Sequence, residues 1–207
     1  AEINKVKFNN YNLLCLNIMS SPGAGKTRLL EITLEDLSKK FQSAVLEGDM
    51  TTNLDAARLE KLNIPVVPIT TGRACHLDAN MVSGGLKLLE KKINPDLLDI
   101  LLVENVGNLV CPAEFEIGEH FKVALLSITE GEDKPLKYPI MFREADLILI
   151  TKVDLLPHLN FDINELKSNI ASTNPKADVI EISSITKSGF DLWQDWISKK
   201  ILKFKNN

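Results

Sequence analysis

The chain has 207 residues, 44% hydrophobic and 25% charged, with a formal net charge of −4; this is a globular make-up that offers nucleic acid no basic footprint. Its apolar runs are strand-sized, so no membrane span is expected, and no positively charged leader precedes an apolar segment. Three cysteines without framework spacing fit a reducing compartment, read as the cytoplasm, and Ala1 in place of Met reads as a processed or trimmed start.

Residues 13–19 form an apolar run that reads as a buried strand, and the helical pattern beyond places Leu30, Leu34, Leu37 and Phe41 on one face. Between them lies Ser20-Ser21-Pro22-Gly23-Ala24-Gly25-Lys26-Thr27, a phosphate-binding loop in its strand–loop–helix setting. Gly23, Ala24 and Gly25 are small enough for backbone N–H groups to turn inward around phosphates, and the helix N-terminus adds a positive dipole. Lys26 reaches the β/γ-phosphates, and the Thr27 hydroxyl suits Mg²⁺. Ser20 stands where the pattern usually has its first Gly, a position that serves turn geometry more than phosphate contact.

A strand over 43–46 then leads into Glu47-Gly48-Asp49, and a helix is expected near 53–62. A strand over 66–70 and a helical pattern over about 78–92 follow, and the strand over 100–103 ends at Glu104-Asn105-Val106-Gly107. Glu104 there can hold Mg²⁺ through water, and Gly107 lets a backbone N–H approach a γ-phosphate. Asp49 is a second candidate Mg²⁺ partner or water-orienting group; with Lys26 and Glu104 it makes up the candidate catalytic set. Further strands are expected over 123–128, 147–150 and 179–182, with a helix over about 164–172. A closing helix carries Trp193, Trp196, Ile197 and Ile201 on one side. Such alternation predicts an α/β fold, a mostly parallel P-loop NTPase sheet with helices on both faces, with 1–207 as one domain and ligands beyond the carboxyl ends of the strands.

The strand over 147–150 runs into Thr151-Lys152-Val153-Asp154, which resembles the Asn-Lys-x-Asp signature of GTP-binding proteins with Thr for Asn. A carboxylate at Asp154 accepts two parallel hydrogen bonds from guanine, which adenine cannot supply, and the Lys152 stem can pack over the purine. Ser183-Ser184-Ile185 resembles the loop that closes the other side of the base. Cys75 and His76 are adjacent at a strand-to-helix transition, and Cys111 lies just beyond Gly107. Two thiolates and an imidazole suit Ni²⁺ or Zn²⁺ rather than Mg²⁺, and a two-fold dimer would bring a second set to the same place. Cys15, in mid-strand, reads as a small buried hydrophobe, and His120 and His158 as surface residues.

Several blocks together resemble the HypB family of nickel-inserting GTPases, within the SIMIBI class of P-loop proteins. They are Ser21–Thr27, Glu47-Gly48-Asp49 with Thr52 and Asp55–Arg58, Gly72 with Cys75–Ala79, Glu104–Pro112, Glu130–Pro135 with Lys137-Tyr138-Pro139, and Thr151–Leu155. The resemblance implies a GTP-hydrolysing nickel metallochaperone for [NiFe]-hydrogenase maturation, with slow hydrolysis and GTP-dependent homodimerisation. It implies an interfacial Ni²⁺ or Zn²⁺ site of Cys75, His76 and Cys111, and as partners a nickel-hydrogenase maturation chaperone and the hydrogenase large subunit. Lys134 or Lys137 is a candidate for adding charge to the phosphates across a dimer. The chain shows neither the Cys-x-x-Cys-Gly-Cys motif nor the His-rich tract of many members, so a nickel-storage role is not expected. The alternatives are a urease-type nickel accessory GTPase, whose usual Cys-Pro-His differs from the adjacent Cys75-His76, and a non-hydrolysing metal-binding scaffold.

Overall fold

The computed structural model describes residues 1–50 and 54–206. In chain order the first half comprises α1 (Glu2–Asn10), β1 (Leu14–Ser20), α2 (Lys26–Leu37), β2 (Ser43–Asp49), α3 (Leu54–Glu60), β3 (Val66–Thr70), α4 (Ala79–Leu89) and β4 (Ile100–Glu104). The second half comprises α5 (Cys111–Glu114), β5 (Phe121–Ser127), α6 (Lys134–Lys137), α7 (Pro139–Arg143), β6 (Leu147–Thr151), α8 (Ile163–Thr173), β7 (Asp178–Ile182) and α9 (Phe190–Lys205). The described part of the expected helix over 53–62 is α3; Asn53 and the motif residue Thr52 lie outside the described residues. The helix α1 had no counterpart among the expected elements, because its apolar residues are few: Phe8 is buried, while Ile3 and Val6 face solvent.

Among the described residues all seven strands run parallel, in the order β3-β2-β4-β1-β5-β6-β7. Residues alternate between the faces with period two, so each buried strand feeds two cores. Leu14, Leu16 and Ile18 of β1 join Ile100, Leu102, Val123 and Leu149 beneath α2, α3 and α9. On the other face Cys15, Leu101 and Val103 meet Phe8 of α1 and Leu86 of α4, and farther along Met19, Leu126 and Ile148 meet α7 and α8. Helices therefore cover both faces, as the alternation of elements predicts. Cys15 is wholly buried, as expected of a small hydrophobe. In α9 the Trp193 indole is fully buried and donates to Thr33 Oγ1 at 2.8 Å, while Trp196 donates to Asp178 Oδ2 at 2.8 Å. Both indoles thus satisfy their one donor while filling the core.

Because β1 runs on to β2 on one side while its neighbour β4 runs on to β5 on the other, the two connections part and open a crevice at the carboxyl ends of these strands. The phosphate-binding loop, Asp49 and the Glu104–Gly107 turn follow β1, β2 and β4 at that one edge.

His158 is exposed, but His120 is not the surface residue expected from sequence. It is partly buried between Phe8 and Phe204, and its Nδ1 accepts the Cys15 N–H at 2.9 Å. That assigns the proton to Nε2, which donates to Asn9 Oδ1 at 2.9 Å. Burial, with Lys5 nearby, pushes the imidazole pKa down to about 4. Above pH 6.5 the ring is neutral in both folded and unfolded chains; between pH 6.5 and 4 only the unfolded chain takes up the proton, so stability falls as pH falls. Allowing for solvent screening, the loss is of the order of 1–2 kcal/mol. In His120→Asn, whose Oδ1 can accept from Cys15, urea unfolding across this window should show a shallower pH slope; an unchanged slope would remove the assignment.

Candidate functional site

Beyond β1, Gly23 (φ 76°) and Gly25 (φ 104°) hold left-handed conformations that L side chains rarely adopt, which lets the loop curl toward Lys26 and Thr27 at the start of α2. Lys26 is buried, and its Nζ donates to Ser20 Oγ at 2.9 Å. Ser20 therefore does more than shape a turn: it holds the lysine head. The Thr27 hydroxyl donates to Glu104 Oε1 at 2.7 Å. The opposite loop comes so close that a Cβ on Gly107 would lie 2.9 Å from Pro22 Cα, so only glycine fits without movement.

These groups line a cleft of about 450 Å³ together with Glu47, Asp49, Asp55, Arg58 and Val106. Burial, opposed by Lys26 and the Thr27 hydrogen bond, still leaves the Glu104 pKa up at about 7. Burial and the neighbouring Glu104 push Glu47 up to about 8. Burial lowers the pKa of Lys26, while the carboxylates around it oppose that shift. One oxygen on each glutamate, Glu47 Oε2 and Glu104 Oε2, is buried without a hydrogen-bond partner. Hard, crowded oxygen donors beside a threonine hydroxyl fit Mg²⁺, whose charge would relieve both carboxylates. Glu47 stands in the Glu47-Gly48-Asp49 block but carried no site role from sequence, because its partner Glu104 is brought opposite it only by the pairing of β2 with β4. Asp49, at the end of β2, accepts from the Met50 N–H at 2.6 Å and lines the same cleft. Arg58, also unassigned from sequence, forms paired bonds with Glu31 at 2.8 and 2.9 Å.

The segment after β6 closes over the phosphate loop. Thr151 Oγ1 donates to Ala24 O at 2.8 Å, and Lys152, in a left-handed conformation (φ 63°), donates to Gly23 O at 2.8 Å. The threonine that stands in the usual asparagine position thus still ties the two loops. Asp154 Oδ1 accepts from Ser183 Oγ at 2.5 Å, and Ser183 Oγ in turn accepts the Ile185 and Thr186 N–H groups, each at 3.1 Å. Ser184 is half-buried in the turn that follows β7. Lys134 and Lys137 do not line the cleft; Lys137 pairs with Asp133, and Lys134 sits 5.0 Å from the Tyr138 ring centre.

At one end of the turn beyond β4 a second cluster forms. Ligand atoms of Cys75, His76 and Cys111 all lie within 4.8 Å of one another, and all three residues are half-buried. The two sulfurs are 3.0 Å apart, and Cys75 Sγ is 3.9 Å from His76 Nδ1. The hydrogen bond with Cys75 raises the Cys111 pKa. Two thiolates on one tetrahedral ion sit about 3.8 Å apart, so a small outward movement of the sulfurs suffices. Phe115, which carried no signal in the sequence, stacks on the His76 ring with centroids 4.1 Å apart and fixes its plane.

The all-parallel sheet and the glycine loop opening α2 define a P-loop nucleotide-binding protein. The family model "CobW/HypB/UreG, nucleotide-binding domain" matches residues 14–181. A hydrogenase maturation factor HypB from Azotobacter vinelandii is 49% identical over 201 residues, 97% of this chain; the chain spans 65% of that protein's length. The hydrogenase/urease maturation factor HypB of Helicobacter pylori is 41% identical, covering 95% of this chain and 80% of that protein. The crystal structure of HypB from Helicobacter pylori in complex with nickel superposes with a TM-score of 0.92 at 40% identity, covering 97% of this chain and 93% of that one. The chain belongs to the HypB branch of the CobW/HypB/UreG family.

Proposed function

We propose that this chain acts, as a single GTPase domain, as a GTP-hydrolysing nickel metallochaperone in [NiFe]-hydrogenase maturation. The observation that carries the reading is the placement of two sites on one short segment: Val106 and Gly107 line the cleft, and Cys111, four residues beyond Gly107, completes the Cys75–His76 cluster. Lys26 meets the β- and γ-phosphates and neutralises charge as the attacking water bonds to phosphorus and the bond to GDP breaks. Thr27, Glu104 and Asp49 would hold Mg²⁺, which supplies charge to the phosphate oxygens. Gly107 presents its N–H toward the γ-phosphate, and the guanine edge meets Asp154, oriented by Ser183. Lys152 covers the purine, with Ser184 beside it.

Nickel is the cargo in this reading, with zinc the competing occupant of the same soft donors. Three ligands per chain and the exposed Val110 and Phe115 beside them suit a GTP-dependent homodimer that doubles the ligand set. A maturation chaperone and the hydrogenase large subunit are the proposed recipients, in a reducing compartment such as the cytoplasm; all three cysteines are free. Among the described residues no helix is long and apolar enough to cross a membrane. The naming of the Helicobacter pylori relative favours delivery to a urease as a second reading, which nickel transfer to each client would separate.

The test is nickel titration of the wild type, Cys75→Ala and Cys111→Ala, each in GDP and in a non-hydrolysable GTP analogue. Loss of one direct ligand should weaken nickel binding by more than about 100-fold, a larger effect than loss of an outer-shell partner. Wild-type affinity should differ between the nucleotide states and fall with falling pH, because the thiols must lose protons to bind. Unchanged affinity in both variants would eliminate the site.

A further inference from the structure

We propose that Asn105 is the positioning residue that couples the nucleotide cleft to the Cys75–His76–Cys111 cluster, an inference that rests on both ligands binding as described above. Asn105 is fully buried between Glu104 and Val106, both of which line the cleft. Its Oδ1 accepts two backbone N–H groups, that of Val106 at 3.0 Å and that of Leu77 at 2.9 Å. One amide oxygen thus joins the cleft wall to the residue next to His76. Both lone pairs are used, so the two N–H groups cannot move independently without leaving a buried donor unpaired.

The other half of the same amide reaches the second ligand-bearing segment. Asn105 Nδ2 donates to Asn17 Oδ1 at 3.1 Å, and Asn17 Nδ2 donates to Glu119 Oε1 at 3.2 Å. Glu119 Oε2 accepts the Ile117 N–H at 2.9 Å, in the stretch that follows α5 and its Cys111. Asn17, Asn105 and Glu119 are all buried, so the chain of bonds has little competition from water. Leu77 also fills the space over Gly48, where an added Cβ would lie 2.7 Å from its side chain, directly beside Asp49. A ligand that draws on the Val106–Gly107 backbone therefore pulls on both sides of the thiol cluster through one side chain. Asparagine is required because the position must accept twice and donate once; aspartate keeps the acceptors but cannot donate to Asn17.

The test compares wild type, Asn105→Asp and Glu119→Gln as full-length chains. Nickel affinity is measured in GDP and in a non-hydrolysable GTP analogue. In the metal-free proteins, the reaction rate of Cys75 and Cys111 with an aromatic disulfide is measured in the same two states; Cys15, fully buried, stays silent. Wild type should show a nucleotide ratio within the usual coupling range, about 5- to 150-fold, and the variants should cut that ratio at least threefold in both readouts. A residue that merely stabilised the fold would lower all affinities and leave the ratio alone. A folded variant at either position that keeps the wild-type ratio overturns the inference, and Glu119→Gln decides it if Asn105→Asp does not fold. A ratio of one in the wild type instead overturns the coupled-switch reading itself.

Discussion

Lys26→Ala is expected to lower single-turnover GTP hydrolysis by at least about 100- to 1,000-fold, the scale of losing one preorganised charge donor at developing negative charge. The lysine is held in place before nucleotide arrives: Ser20 Oγ accepts from it, and the carboxyls around it, Glu104 and Asp55 foremost, oppose the effect of burial on its charge. Little is spent on reorganisation when the phosphates come, so most of the effect should fall on kcat rather than on KM. The variant also removes the cation that opposes the raised pKa of both Glu47 and Glu104, so some loss of nucleotide affinity should accompany the loss of rate. Rapid-quench measurement of phosphate release at saturating GTP checks this. Turnover within threefold of wild type would mean that Lys26 is not the phosphate clamp.

Asp154→Asn should produce the second large effect, a change in base preference. Ser183 donates to one carboxylate oxygen, whose second lone pair together with the other oxygen can take guanine's two donors in the proposed pose. In the variant the hydroxyl still finds an oxygen, so the amide is oriented with its NH₂ toward the base. Losing two charge-assisted bonds costs about 3–6 kcal/mol, or roughly 10²- to 10⁴-fold in GDP affinity. Xanthine carries a carbonyl where guanine carries its amine, so XDP should bind the variant better than GDP does. Displacement of a fluorescent nucleotide by GDP and by XDP measures both effects. GDP affinity equal to wild type would overturn the assignment of Asp154 to the base.

Some of this protein is written locally along the chain. The Gly23–Thr27 loop is legible because one strand, one turn and one helix N-terminus suffice to build it, and the central strands are legible because burial on two faces makes them largely apolar. Thr151-Lys152-Val153-Asp154 is contiguous, so its spacing already sets the geometry of the turn after β6. Cys75-His76 and Cys111 could be named as soft donors from residue type alone. Their meeting could not be read that way, since 36 residues and the β4 strand separate the two cysteines. The order of strands across the sheet decides that the loops after β3 and β4 end beside each other. It also decides which buried polar residues find one another: Asn17, Asn105 and Glu119 come from three segments, and Glu47 meets Glu104 only because β2 pairs with β4. His120 followed the same rule, since its environment is made by α1, β1 and α9. Local propensity and periodicity act over a few residues and leave long-range partners open. Close packing and the cost of an unpaired polar group inside it select those partners, and both operate only once the chain has folded.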